Sequence, residues 1–308
     1  MNNHTTVHYF LLLEFSKNRH LQLLHFFVFF VLYLTTVMAN LLIILTVALE
    51  NQLHSPVYWF LMNLAVQDLG TVSVIVPKSM VNSLMDTRYI SYSGCAAQVF
   101  IFISFVASDL SLLTVMAYDR YVAICHPLHY EMVMNWNACN KMMILVWVTS
   151  LLYGTLHTTG TFSTLFCSNV VNQFFCEIPQ LLKLSCTGFN IVELGVLMAS
   201  VTAGLGCFNF IVASYFMIFK AVLRIPSEEG RQKALSTCIP HLVVVSMFLL
   251  TGCFAYLRSP SYTPSYLNFG VTVLYSLLPP LFNPIIYSMR NKNIKLGLSK
   301  LWKFGKLP

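Results

Sequence analysis

Seven stretches of this chain are apolar for about 20 residues or more, the length a helix needs to cross the hydrocarbon core of a bilayer. They run roughly over Leu23–Leu49, Val57–Pro77, Ala96–Arg120, Met142–Phe162, Val192–Leu223, Leu235–Leu257 and Leu267–Tyr287. Only 9% of the 308 residues are charged and 57% are hydrophobic, whereas a soluble domain carries about 25% charged residues. The expected fold is an all-α membrane protein: a seven-transmembrane helix bundle followed by a short amphipathic helix. An N-terminal segment over 1–22 precedes the bundle at 23–290, and a tail over 291–308 follows it.

An odd number of spans puts the termini on opposite sides. With the N-terminus outside, twelve of the eighteen Lys and Arg residues fall on the cytoplasmic side, most of them after Lys220. That bias predicts a multi-pass plasma-membrane protein with an extracellular N-terminus and a cytoplasmic C-terminus. The formal charge of +7 does not indicate nucleic acid, because the basic residues are dispersed and no binding motif accompanies them. The first ten residues have neither a basic n-region nor an apolar h-region. The sequon Asn3-His4-Thr5 lies on the expected outer side, so Asn3 is a candidate glycosylation site.

Polar residues inside the spans are Asn40, Asp68, Asp109 and Asn283, the last ahead of Pro284. Such groups face one another rather than lipid. Asn40 reads most simply as interhelical glue. Two buried acids either share a proton or recruit a cation, so Asp68 with Asp109 is a candidate sodium or proton site, with plain packing as the competing reading. At the end of the third span, MAYDRYVAICHPLHY places Asp119 and Arg120 where a charge is costly unless it serves a purpose. Steps of 100° carry Arg120, Leu113, Asp109, Val106 and Phe102 along one face for about 27 Å. One stripe therefore joins an apolar upper part to a cation below.

Of nine cysteines, Cys95, Cys167, Cys176 and Cys186 lie on the expected outer side, where oxidation is permitted. They allow three pairings, and a bridge from Cys95 into Ser163–Asn190 would fold that segment over the helix mouth as a lid. In the tail, Ile294, Leu298, Leu301 and Trp302 share one helical face and Lys295, Lys300, Lys303 and Lys306 largely the other. That pattern predicts a helix lying on membrane lipid.

MAYDRYVAICHPLHY at 116–130 resembles the signature of the odorant receptors, a branch of the rhodopsin-like (class A) G-protein-coupled receptors. LHSPVYWFLMNLAVQDLG at 53–70, SYFMIFKAVLRI at 214–225, KALSTCIPHL at 233–242 and PPLFNPIIYSMRNKNIK at 279–295 agree with it, in order, from about residue 10 to 303. The resemblance implies disulfides Cys95–Cys176 and Cys167–Cys186, and a sodium ion held by Asp68 and Asp109 in the inactive state. Where the family usually has Glu this chain has Asp109, and a Phe-Tyr-Gly of the sixth helix becomes Phe248-Leu249-Leu250.

An odorant receptor binds a small volatile organic ligand between its helices and activates a stimulatory, olfactory-type heterotrimeric G protein to raise cyclic AMP. The third helix offers Phe102, Ile103, Val106 and Ala107 to such a pocket. By similarity the other helices add Ala199, Ser200, Ala203, Leu249, Cys253, Tyr256, Thr272 and Ser276. No acid stands in the upper pocket to pair with an amine, because Asp109 lies too deep, so neutral odorants are expected. The resemblance also implies that Arg120 rests near Asp119 and engages Tyr215 and His241 on activation. Tyr121, Asn283, Pro284 and Tyr287 complete the implied switch. No cofactor is expected beyond the sodium, and no nucleophile–base pair or metal triad points to an enzyme. The alternative is a class A receptor for a non-odorant small metabolite in another tissue.

Overall fold

A computed structural model describes residues 7–13, 18–186, 191–257 and 265–304. Among them, seven helices are long and apolar enough to cross a membrane. These are α1 (Arg19–Leu49), α2 (Pro56–Met85), α3 (Tyr92–Cys125), α4 (Trp136–Phe162), α5 (Ile191–Leu223), α6 (Glu228–Leu257) and α7 (Ser265–Arg290), and a further helix, α8 (Lys292–Phe304), follows. Most run several residues beyond the apolar stretches, because hydropathy marks only the part of a helix that meets hydrocarbon. Pro77, expected to close the second span, instead lies inside α2. There Gln98 of α3 donates to the Val74 carbonyl, in the turn the proline disturbs.

Helix ends are capped by side chains. Asn18, Ser91 and Asn135 accept from the backbone of His20, Gly94 and Ala138. Asn291 accepts from Asn293 and Ile294 to begin α8. At the far end of α2, Asp86 takes the left-handed conformation with φ 51°, which a short polar side chain tolerates. Arg19 of α1 donates to the Ser83 and Leu84 carbonyls there.

Two apolar cores stack along the bundle. One, at the Arg120 end, gathers Ile43, Leu64, Leu112, Met116, Tyr215 and Ile218. The other gathers Phe10, Val99, Phe102, Phe174, Phe175 and Leu277. Asn40, Asp68, Asp109 and Asn283 are all buried. Asn40 Nδ2 donates to the Pro280 carbonyl at 2.9 Å, the acceptor that Pro284, lacking an N–H, leaves unserved one turn on. On α3 and α4, a Cβ at Gly154 would stand 2.1 Å from Ser104 Oγ and 2.9 Å from the Phe100 carbonyl oxygen. These two backbones approach because the residue between them is small.

The second core is roofed in a way the all-α expectation did not contain. Residues Tyr9–Leu11 form β1, paired antiparallel with β2 (Tyr89–Ser91) in the register Phe10↔Ile90. Leu11 also exchanges backbone hydrogen bonds with Asn169 and Val171. Phe10 is fully buried, against the rings of Tyr92, Phe162 and Phe166. Part of the N-terminal segment is thus integral to one end of the bundle. Disulfides Cys95–Cys176 and Cys167–Cys186 fasten the loop after α4 as a lid. Gln98 Oε1 accepts from the Cys176 N–H at 2.8 Å, and Ser79 donates to the Phe174 carbonyl. Two side-chain bonds reach α7: Gln173 Nε2 donates to Thr272 Oγ1, and the Tyr275 hydroxyl donates to Glu177.

Burial pushes the Glu177 carboxyl up to about 7, against the opposing pull of the Tyr275 hydrogen bond and the Lys183 charge. The folded chain then holds a proton that the unfolded chain has released, so this group's stabilisation is full below its ordinary pKa near 4.5 and fades as pH climbs toward 7. Melting curves in detergent from pH 5 to pH 8 are expected to fall across that window and to flatten in Glu177→Gln. A variant as pH-dependent as the parent would refute the assignment. Gly154→Val should cost about 1–3 kcal/mol by forcing α3 from α4, read as a lower melting temperature; an unchanged melt would contradict the close approach.

Candidate functional site

At one end of the bundle α3 presents Asp119 and Arg120, both buried. The Arg120 charge acts on Asp119, but among the described residues no ion pair joins the two. The Asp119 carboxylate instead accepts from the Tyr130 hydroxyl at 2.8 Å. Burial, reinforced by the Asp119 charge, raises the Tyr130 pKa, so the hydroxyl keeps its proton and donates it. Arg120 Nε is buried with no hydrogen-bond partner. Tyr121 turns the other way, its hydroxyl 3.0 Å from His126 Nε2.

His241 of α6 is fully buried and bridges three helices. Its Nε2 lies 3.0 Å from the Leu113 carbonyl of α3, and its Nδ1 lies 2.8 Å from the Tyr215 hydroxyl of α5. A carbonyl only accepts, so Nε2 carries the proton and Nδ1 accepts from Tyr215. Tyr215 and His241, implied as partners for Arg120, are here engaged with each other. Close by on α7, the Tyr287 hydroxyl is buried without a partner.

Half-way along, Asn283 Nδ2 donates to both Asp68 carboxylate oxygens at 3.1 Å. Asp109 Oδ1, Asn40 Oδ1 and Asn283 Oδ1 are buried with no partner. Unpaired oxygens are the donors a hard cation takes, so the residues present fit a sodium ion. Only two of these residues are acids, and among the described residues no cluster of three or more His, Cys, Asp or Glu is formed.

Of the twelve pocket candidates, the structure draws four into the core beneath the lid. Phe102 and Ile103 are buried, as are Thr272 and Ser276 of α7. The Phe102 ring meets Phe175 of the lid at 5.1 Å and Tyr275 at 6.5 Å between centroids. Val106 packs against the same core, and Ala107 and Leu249 are half-buried. Ala199, Ala203 and Cys253 are exposed instead of enclosed, because the upper parts of α5 and α6 pack loosely together. The side chain of Tyr256 and the whole of Asn3 lie outside the described residues. Ser200 is bonded sideways to α4, where His157 Nε2 lies 2.7 Å from its Oγ.

Contrary to expectation, the roof of this region does hold an acid. Glu177 comes from the lid, so its burial against Tyr275 could not appear in a helix-face count. Tyr130 and His157 were also missed. Tyr153 and His157, four residues apart in an apolar span, carried a usable signal, since polar side chains at membrane depth are seldom idle. A separate crevice of about 40 Å³ between α1, α2 and α7, lined by residues such as Leu32, Thr36, Val76 and Leu277, contains none of the twelve.

The fold is similar to that of squid rhodopsin, with a TM-score of 0.75 at 17% identity, over 94% of this chain and 87% of that one. Residues 29–303 match the olfactory receptor family model. The human olfactory receptor 14A16 is 47% identical over 100% of this chain and 99% of its own length. Human olfactory receptor 14C36 is 48% identical over 98% and 97%. A family match over nearly the whole bundle and full-length relatives at this identity agree with the seven-helix geometry: the chain belongs to the olfactory receptor family, as a multi-pass odorant receptor of the rhodopsin-like, G-protein-coupled fold.

Proposed function

We propose that the lid end faces outward and admits a neutral volatile odorant, and that the Asp119–Arg120 end faces the cytoplasm and a stimulatory, olfactory-type G protein that raises cyclic AMP. Phe102, Ile103, Val106 and Ala107 form the pocket wall on α3. Thr272 and Ser276 supply polar points on α7, and Ala199, Ala203, Leu249, Cys253 and Tyr256 close the α5–α6 side when those helices draw together. A ligand of about ten heavy atoms with few polar contacts binds near the micromolar range, about −8 kcal/mol.

The observation that carries this reading is the buried Arg120, its Nε unpaired while Asp119 is held by Tyr130. A largely buried cation whose Nε finds no hydrogen-bond acceptor bears part of the cost of its own burial. Movement of α6 away from α3 relieves that cost by opening a cleft in which Arg120 meets a partner. At rest His241 holds α6 to Leu113 and Tyr215. A ligand that binds the opened arrangement better than the closed one shifts the balance. Asp68, Asp109 and Asn283 would hold a sodium ion, whose charge offsets the two carboxylates. Asn283, Pro284 and Tyr287 act as the seventh-helix switch in this reading, with Pro284 supplying a kink.

Arg120→Gln, at normal surface level, should abolish odorant-evoked cyclic AMP; full coupling would defeat the proposal. His241→Phe keeps a ring but loses both hydrogen bonds. It should raise ligand-independent cyclic AMP several-fold and shrink the odorant-evoked increment. Unchanged basal and evoked signals would remove His241 from the switch.

A further inference from the structure

The upper halves of α4 and α5 meet at three polar side chains that the proposed pocket does not explain: Tyr153, His157 and Ser200. All three are half-buried. The Ser200 hydroxyl donates to the Val196 carbonyl of its own helix at 2.7 Å. A hydroxyl has one proton, so toward α4 Ser200 offers only lone pairs. His157 Nε2, 2.7 Å away, must therefore be the donor in that bond. Tyr153 stands over the imidazole with ring centroids 4.5 Å apart and an interplanar angle of 61°. Its hydroxyl also approaches Ser200. The ring's tautomer and its orientation are thus fixed by neighbours on two helices.

A neutral imidazole protonated on Nε2 has one remaining function, an acceptor lone pair on Nδ1. Among the described residues that nitrogen has no hydrogen-bond partner, and it is not among the polar atoms sealed from contact. Tyr153 packs against the core that contains Phe102 and Phe175, so the cluster borders the ligand region. Ser200, expected to touch ligand, is here bonded to the ring.

We infer that His157 is a specificity-determining residue: its Nδ1 accepts a hydrogen bond from the ligand and selects odorants carrying an O–H, alcohols and phenols, over aldehydes and ketones of the same skeleton. A carbonyl compound presents a second acceptor to Nδ1 and leaves both unpaired, whereas a hydroxyl compound satisfies the nitrogen. The inference rests on the pocket proposed above, with Phe102 as its wall.

The test uses cells expressing the full chain, matched alcohol–aldehyde pairs of aliphatic and aromatic skeletons, surface labelling and a cyclic AMP readout. The parent receptor should favour the alcohol by about tenfold in half-maximal concentration. His157→Phe, similar in shape but without an acceptor, should bring the pair to parity by weakening the alcohol alone. His157→Gln, which restores an acceptor, should recover part of the preference. Ser200→Ala, by freeing the tautomer, should reduce it. Phe102→Trp should blunt both members. A parent without alcohol preference, or a His157→Phe receptor that keeps it while Phe102→Trp still blunts both, overturns the inference and leaves the pocket standing. If Phe102→Trp changes nothing, or a surface-expressed parent answers no pair, the pocket falls with it.

Discussion

Hydrocarbon offers no hydrogen bonds, so every polar group carried into the bundle must find its partner in the protein. Much of the interior is an answer to that requirement. Thr46, Ser104, Ser111, Thr114 and Ser276 each donate to the carbonyl of the residue four back, so a helix rich in hydroxyls needs no outside help. Asn40 supplies the donor that Pro284 cannot. Gln98 spends its two ends on Val74 of α2 and Cys176 of the lid. Against this background the unsatisfied atoms are informative. Asp109 Oδ1, Asn283 Oδ1, Tyr287 Oη and Arg120 Nε, on α3 and α7 between the middle of the bundle and its Arg120 end, are among the atoms that are buried and unpaired, as is Asn40 Oδ1 of α1. A membrane protein that leaves such groups unserved has kept them for another arrangement of helices, another ion or another partner.

The two ends of the bundle are held by different means. At the lid end, disulfides, a small sheet and hydrogen bonds from α2, α3 and α7 converge on the same loop, and aromatic rings fill the space below it. At the Arg120 end the fastening is noncovalent: a histidine between three helices and a tyrosine on a carboxylate. Under the mechanism proposed above, proton-bearing bonds of this kind would be exchanged in one step on a shift of α6, whereas the stapled roof would not. α5 buries few of its side chains, which leaves the α5–α6 side as the part of the bundle with least to lose on moving. Fixed roof and movable floor are what a receptor needs if a small ligand is to shift an equilibrium about 30 Å away.

The α8 helix shows how local pattern and tertiary contact divide the work. Its apolar face buries Ile294 completely, and Gly297 lies so close to Thr46 that a Cβ would stand 2.6 Å from its methyl. Lys300 reaches Glu50 at 2.7 Å. The alternation of lysine and apolar residues marks this helix for the membrane surface, but its register against α1 follows from a glycine and one ion pair.

By itself the sequence determined the seven spans, the amphipathic tail, the polar residues at mid-depth and, through motifs at the helix ends, the family. Those features depend on local composition or short spacing, and hydrocarbon imposes them one helix at a time. Tertiary structure alone decided which polar atoms meet. Nothing in the spacing of Asp119 and Arg120 says that Tyr130 takes the carboxylate, because that choice depends on how the loop after α3 folds back. Nothing on the helix faces reveals Glu177, whose place comes from a loop stapled to α3 and strapped to α7. His157 is visible as a polar residue in an apolar span, but its role follows only from Ser200, 43 residues away, whose single proton is already committed. Hydrogen bonds between distant segments are set by geometry to within a fraction of an ångström, and sequence spacing carries no such information.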